Sequence, residues 1–227
     1  KQLIPVQAKL SIWEANKLIL AASVLNMVLP SKMGDIAKSY FMKERGHLSG
    51  TLSLSIVIFE KACDMLSLLL WCAFGLILYP QKDAFFWTMT AGILGGLVFG
   101  LLMLGSKGFA RTGFGIMRRI APKKIAAKLA SFPDSWDEMH DYFWGNPAQL
   151  TRIASMSIFV WFLHLLQIWL FILALNAWAP PVSSFALSPL AILAGLLPLT
   201  FAGVGTRDAA LVALYAPYFS AATGAAL

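Results

Sequence analysis

Apolar positions run almost unbroken over residues 51–79 and 84–104, 29 and 21 positions long, separated by the polar turn Pro80-Gln81-Lys82-Asp83. Helical rise of about 1.5 Å per residue carries either run across a hydrocarbon core of about 30 Å, so the pattern predicts two antiparallel spanning helices. Residues 153–175 predict a third full span. The one long polar segment, residues 105–152, lies between the second and third. Two shorter apolar runs, residues 18–29 and 187–200, hold 12 and 14 positions. Runs of that length suit re-entrant or broken helices better than full crossings. Each stops at Leu-Pro and a Gly-containing turn and then resumes, predicting helical hairpins over residues 18–46 and 187–219. Their turn positions are Pro30 and Gly34 in the first, and Pro198, Gly203 and Gly205 in the second. The expected fold class is all-α: a polytopic helical membrane protein with two broken-helix hairpins.

Composition strengthens this picture. With 59% hydrophobic and 13% charged residues and a mean hydropathy of +0.72, the chain has more apolar surface than a soluble core of its size hides. A net charge of +7 would suggest nucleic acid in a soluble protein, but here it is read through loop asymmetry, and no nucleic-acid partner is expected. The first 24 residues of segment 105–152 carry Lys107, Arg111, Arg118, Arg119, Lys123, Lys124 and Lys128 and no acid, which assigns that segment to the cytoplasmic face. The first hairpin then enters from the basic side and the second from the uncharged outer side. Interrupted apolar segments approaching from opposite faces are the pattern of a pseudo-inverted repeat with a ligand site near the midplane. The chain opens on Lys1 rather than Met and is expected to be part of a longer polypeptide.

Charged residues cluster at the hairpin turns: Lys32, Asp35 and Lys38 in the first, Arg207 and Asp208 in the second. A helix that restarts after a break offers free N–H groups and a positive dipole end, which suit a phosphate or carboxylate. Lys32, Lys38 and Arg207 add formal charge beside those ends. Arg207 follows a Gly-x-Gly turn and stays charged under all ordinary conditions, making it the expected main anion-binding residue. Asp35 and Asp208 read equally well as caps that satisfy the free amides.

Glu60, Lys61 and Asp64 form a second constellation, near the centre of the first span. At 100° per residue Ser53, Glu60, Asp64 and Ser67 fall in a stripe about 60° wide, so the polar face points into the protein while lipid meets Leu, Ile and Val. Ionisable groups at such depth usually belong to a pathway or site. The alternative is a structural network in which Lys61 neutralises one carboxylate and a hairpin base the other.

Other features carry less chemistry. Gly92, Gly96 and Gly100 make a small-residue face suited to internal packing or to a homo-oligomer. Residues 121–145 combine bases with Phe and Trp as an interfacial stretch that attracts anionic head groups. Cys63 and Cys72 lie in one apolar run, and His47, His140 and His164 are far apart, so neither a disulfide nor a metal site is expected. No nucleotide or hydrolase motif occurs, and no cofactor is expected.

Three ordered motifs resemble the membrane domain of lysylphosphatidylglycerol synthases, a flippase-like family that includes hopanoid-biosynthesis-associated membrane proteins. The segment NMVLPSKMGDIAK at residues 26–38 looks like its Leu-Pro-x-Arg-x-Gly-Asp motif, FEKACD at 59–64 like its Glu-Arg-x-x-Asp helix, and residues 197–211 like its Leu-Pro-x-x-x-Gly-Gly-x-Gly-x-Arg-Glu motif. Lys32 and Lys61 stand where Arg is usual, Asp208 where Glu is usual, and Ala202 where the first Gly is usual. Charge is kept, although Lys lacks the bidentate fork of Arg. The resemblance implies lipid translocation or handling in a bacterial inner membrane, with Lys32, Asp35, Lys38, Glu60, Lys61, Asp64, Arg207 and Asp208 as the candidate site. Its expected partner is an anionic phospholipid or a polyprenyl- or hopanoid-type lipid, with a lipid synthase as a second partner. The leading reading is a transporter. Its rivals are a lipid-modifying enzyme using Asp35, Glu60 or Asp208 as general base, and a non-transporting scaffold for a synthase.

Overall fold

A computed structural model of the chain describes residues 11–28, 33–46, 49–79, 82, 84–120, 132–196 and 205–227. Among these every regular element is an α-helix: α1 (Ile12–Val28), α2 (Met33–Gly46), α3 (Gly50–Leu78), α4 (Ala84–Gly105), α5 (Lys107–Ile120), α6 (Phe132–Trp144), α7 (Pro147–Ala174), α8 (Pro181–Leu196), α9 (Thr206–Tyr215) and α10 (Ala221–Ala225). Three of them, α3, α4 and α7, are long and apolar enough to cross a membrane. The chain forms two compact units, Lys1–Cys63 with Phe99–Ala154 and Asp64–Val98 with Ser155–Leu227, and α3, α4 and α7 contribute a segment to each.

Helix starts follow local side-chain chemistry. Ser11 and Glu14 form a reciprocal capping box at α1, the Ser11 N–H donating to Glu14 Oε2 at 2.9 Å and the Glu14 N–H to Ser11 Oγ at 3.1 Å. Ser49 Oγ accepts from the Leu52 N–H ahead of α3, and Asn146 Oδ1 from the Gln149 N–H ahead of α7. Pro147 occupies the first position of α7, where its missing N–H costs nothing. This cap starts α7 six residues before the expected 153, because capping geometry and not the apolar run sets the helix start. Helices α1 and α8 are also longer than the apolar runs that predicted them, 17 and 16 residues, which is about 26 and 24 Å.

In the first unit the core gathers around Phe59, whose ring stacks on Phe143 of α6 at 4.4 Å, with Met42, Ile56, Met139 and Ile153 packed beside them. The polar segment 105–152 contains two amphipathic helices. Helix α5 buries Ala110 and Phe114 and carries Arg118 and Arg119 in its last turn, and α6 buries Trp136, Met139 and Phe143. Lys107 pairs with Asp141 at 2.5 Å and Arg111 with Asp137, which clamps α5 to α6. Trp144 Nε1 donates to the Leu104 carbonyl at 2.9 Å, and His140 Nε2 lies 3.3 Å from the Gly105 carbonyl, so α6 side chains close the end of α4. Residues 121–131 of the expected interfacial stretch lie outside the described residues.

In the second unit α8 packs closely on α3. A Cβ on Gly75 would stand 2.1 Å from the Ala186 carbonyl oxygen, so only glycine permits that approach. Tyr215, fully buried, ties α9 to α8: its hydroxyl lies 2.7 Å from Ser188 Oγ and 3.0 Å from Ser184 Oγ. On α4, Gly96 takes the side chain of Leu69, as internal packing requires, whereas Gly92 faces open space. The outer faces of α4 and α7 are apolar: Leu94, Val98, Leu163 and Leu170 are exposed, as expected of helices whose solvent is lipid.

Candidate functional site

Two polar clusters stand out, one in each unit. In the first, Lys38 of α2 donates to both carboxylate oxygens of Glu60 on α3, at 2.6 and 2.5 Å, with the side chains 12% and 26% exposed. Lys38 therefore neutralises the Glu60 carboxylate. Asp35 falls one turn earlier on α2, and Gly34 is buried in its first turn. Lys61 is exposed, a position set by its 100° offset from Glu60 along α3. Ser53, two turns before Glu60, and Ser55 are fully buried, and their hydroxyls find no hydrogen-bond partner among the described residues.

In the second unit, Asp64 binds α7 twice. Its Oδ1 accepts from Ser157 Oγ at 3.1 Å, and its backbone carbonyl accepts from Trp161 Nε1 at 3.0 Å. Trp161 so held forms one wall of a cavity of about 270 Å³ also lined by His164, Gln167, Ile192, Arg207 and Leu211. Gly205, with φ of 89°, supplies the left-handed turn that starts α9 and sets Arg207 in its first turn. A Cβ on Gly195 would lie 2.8 Å from the Arg207 Cβ, so the bare backbone of α8 seats the Arg207 stem.

Asp208 caps α9, though not as the N-cap residue. It sits at the third helical position and its Oδ2 accepts from the Gly205 N–H at 3.1 Å. Its other oxygen is 4.0 Å from Arg207 Nε, beyond hydrogen-bond reach, and Arg207 stays half exposed. Lys32, Pro30, Pro198 and Gly203 lie outside the described residues.

Sequence reasoning did not single out His164 and Gln167 as lining residues. The signal was present as two hydrogen-bonding side chains at i and i+3 on one face just past the middle of a largely apolar span. Read singly, each looks like an isolated polar residue; only the approach of α9 makes them walls of one cavity with Arg207.

Comparison with curated proteins and with solved structures returned no match. A family model described as the lysylphosphatidylglycerol synthase TM region matches residues 2–227. With that match over nearly all of its length, three helices fit to cross a bilayer and polar groups set among them, the chain belongs to the lysylphosphatidylglycerol synthase transmembrane family, membrane proteins tied to lipid synthesis or handling.

Proposed function

We propose that this protein is a lipid flippase of a bacterial inner membrane, which seats the anionic head group of its lipid on Arg207 while the acyl chains stay against the apolar helix faces. The observation that carries this reading is the cavity of the second unit, where Arg207, His164 and Gln167 converge between apolar walls. Turning an arginine toward lipid costs about 2.5–3.5 kcal/mol on insertion scales, so a half-exposed Arg207 in a membrane domain calls for an anion or water. Its guanidinium offers a forked set of donors for phosphate oxygens, and His164 and Gln167 add hydrogen-bonding side chains. In this reading segment 105–152 is cytoplasmic, the two broken helices are re-entrant, and the remaining carboxylates, bases and turn residues at 30–38, 60–64 and 198–208 shape the path.

Purified protein in liposomes tests the proposal through loss of a fluorescent phosphatidylglycerol from one leaflet. Arg207→Gln is expected to slow that movement about tenfold or more, the value of one charge-assisted hydrogen bond of about 1.5–3 kcal/mol, while the amount of inserted protein holds. An unchanged rate in correctly inserted Arg207→Gln overturns it.

A further inference from the structure

Helix α5 starts at Lys107, just past the end of the spanning helix α4 at Gly105, and packs against the last two turns of α4. The Phe109 ring meets the Phe99 ring edge-on at 5.6 Å, and a Cβ on Gly113 would lie 3.5 Å from Met103 Sδ. Phe99 is itself exposed, so this side of α5 adjoins the apolar face that α4 turns to lipid. At 100° per residue Phe109, Gly113, Ile116, Met117 and Ile120 share a stripe about 100° wide. Ile116, Met117 and Ile120 are 53%, 54% and 81% exposed, while Ala110 and Phe114 beside the stripe are buried. Lys107, Arg111 and Arg118 fall on the opposite face, and Arg119 flanks the stripe. Asp141 and Asp137 of α6 engage Lys107 and Arg111, whereas Arg118 and Arg119 lie two turns further on and are exposed. Helix α6, the described part of the stretch expected to attract anionic head groups, carries Asp134, Asp137, Glu138 and Asp141 and neither Lys nor Arg. Attraction of anions therefore falls to α5.

We infer that α5 is an interfacial helix that lies in the leaflet beside α4, with Ile116, Met117 and Ile120 among the acyl chains and with Arg118 and Arg119 binding the phosphates of anionic phospholipids in that leaflet. Two physical features select a lipid surface as the occupant. The apolar stripe is continuous with a spanning helix through the Phe109–Phe99 contact, so the hydrocarbon that meets Phe99 also reaches the stripe. Bases at the end of that stripe complement a layer of phosphates, where each guanidinium presents a fork of donors to phosphate oxygens. The last turn of a helix is also its negative dipole end, which keeps Arg118 and Arg119 favourably placed before any lipid binds. The lipids held here are resident neighbours of the protein and not its cargo, and the inference stands apart from the flippase reading of Arg207.

The test uses the purified full chain in nanodiscs, with a fluorescent amino acid encoded at position 116 and, in a second protein, at position 115, where a side chain meets open space. Phosphatidylglycerol and phosphatidylcholine with brominated acyl chains are compared as quenchers at equal mole fraction. Stronger quenching at 116 than at 115 is expected, because the two positions are about 100° apart and 115 points away from the stripe. At 116 the brominated phosphatidylglycerol should be preferred by at least about fivefold, which is about 1 kcal/mol, the worth of one base near an anionic surface. The double variant Arg118→Gln, Arg119→Gln should bring that preference towards unity, and Arg207→Gln should leave it unchanged. Quenching at 116 no stronger than at 115 overturns the interfacial placement and leaves the stripe to water or a protein partner. Equal quenching by the two lipids, or a preference that survives the double variant, overturns the head-group site.

Discussion

Replacing Glu60 by Gln tests how the first unit tolerates charge at membrane depth. The Lys38 ammonium lies 2.6 and 2.5 Å from the two Glu60 oxygens. At an effective dielectric near 20 the attraction at that separation is about 6–7 kcal/mol, most of it offset by the cost of taking both ions out of water. The net value of the pair is therefore small, but the value of either partner given the other is not. Glu60→Gln leaves Lys38, only 12% exposed, without its counter-ion, and removing one partner of a buried pair costs about 3–5 kcal/mol. Because Glu60 keeps 26% exposure, the low end is expected, about 3 kcal/mol. Lys38→Met alone should cost a similar amount. The double variant removes both charges and should lose less than the sum of the two, by at least about 1.5 kcal/mol. Unfolding free energies in mixed micelles under an increasing fraction of anionic detergent supply the four values. Additive losses, agreeing within about 0.5 kcal/mol, would refute the claim that the two charges stabilise one another.

Three further outcomes are expected. Gly75→Ala brings a methyl group to 2.1 Å from the Ala186 carbonyl oxygen, so α3 and α8 must separate at a cost of at least about 2 kcal/mol, read as a lower unfolding midpoint in detergent; an unchanged midpoint contradicts the close approach. The carboxyl of Asp141 is held below the ordinary carboxylate value, first by its hydrogen bond from Lys107, and Lys107→Gln should raise its NMR titration midpoint towards about 3.9. A depressed carboxyl stabilises the fold above its ordinary value and loses that contribution as pH falls through the lowered one, so the α5–α6 clamp should weaken only below about pH 4, and an Asp141 midpoint unmoved by Lys107→Gln counts against it. Finally, a cysteine at Ser106 should resist an impermeant thiol reagent in intact cells while one at Ser183 reacts; labelling of Ser106 from outside reverses the assigned orientation.

Hydrophobic patterning by itself determined the all-α membrane class and the existence of the long apolar helices, because a run of 20 or more apolar residues has few other stable environments. It also marked Glu60, Asp64 and Arg207 as groups that need partners, since a charge at membrane depth is costly wherever the chain folds. Which partner each one takes was decided by tertiary structure. Lys61 adjoins Glu60 in sequence and Lys38 lies 22 residues away, yet the packing of α2 on α3 brings Lys38 into contact with Glu60, while Lys61, one 100° step along α3, is exposed. Asp64 reads as a twin of Glu60 one turn on, but α7 supplies its carboxylate with a serine hydroxyl and its backbone carbonyl with an indole N–H. His164 and Gln167 came to line one cavity only when α9 set Arg207 beside them. Periodicity encodes the face a residue occupies on its own helix, a local property of 100° steps. The neighbour across that face depends on how separate helices dock, and that information is spread over glycines such as Gly75 and Gly195 whose importance is invisible until a second backbone lies against them.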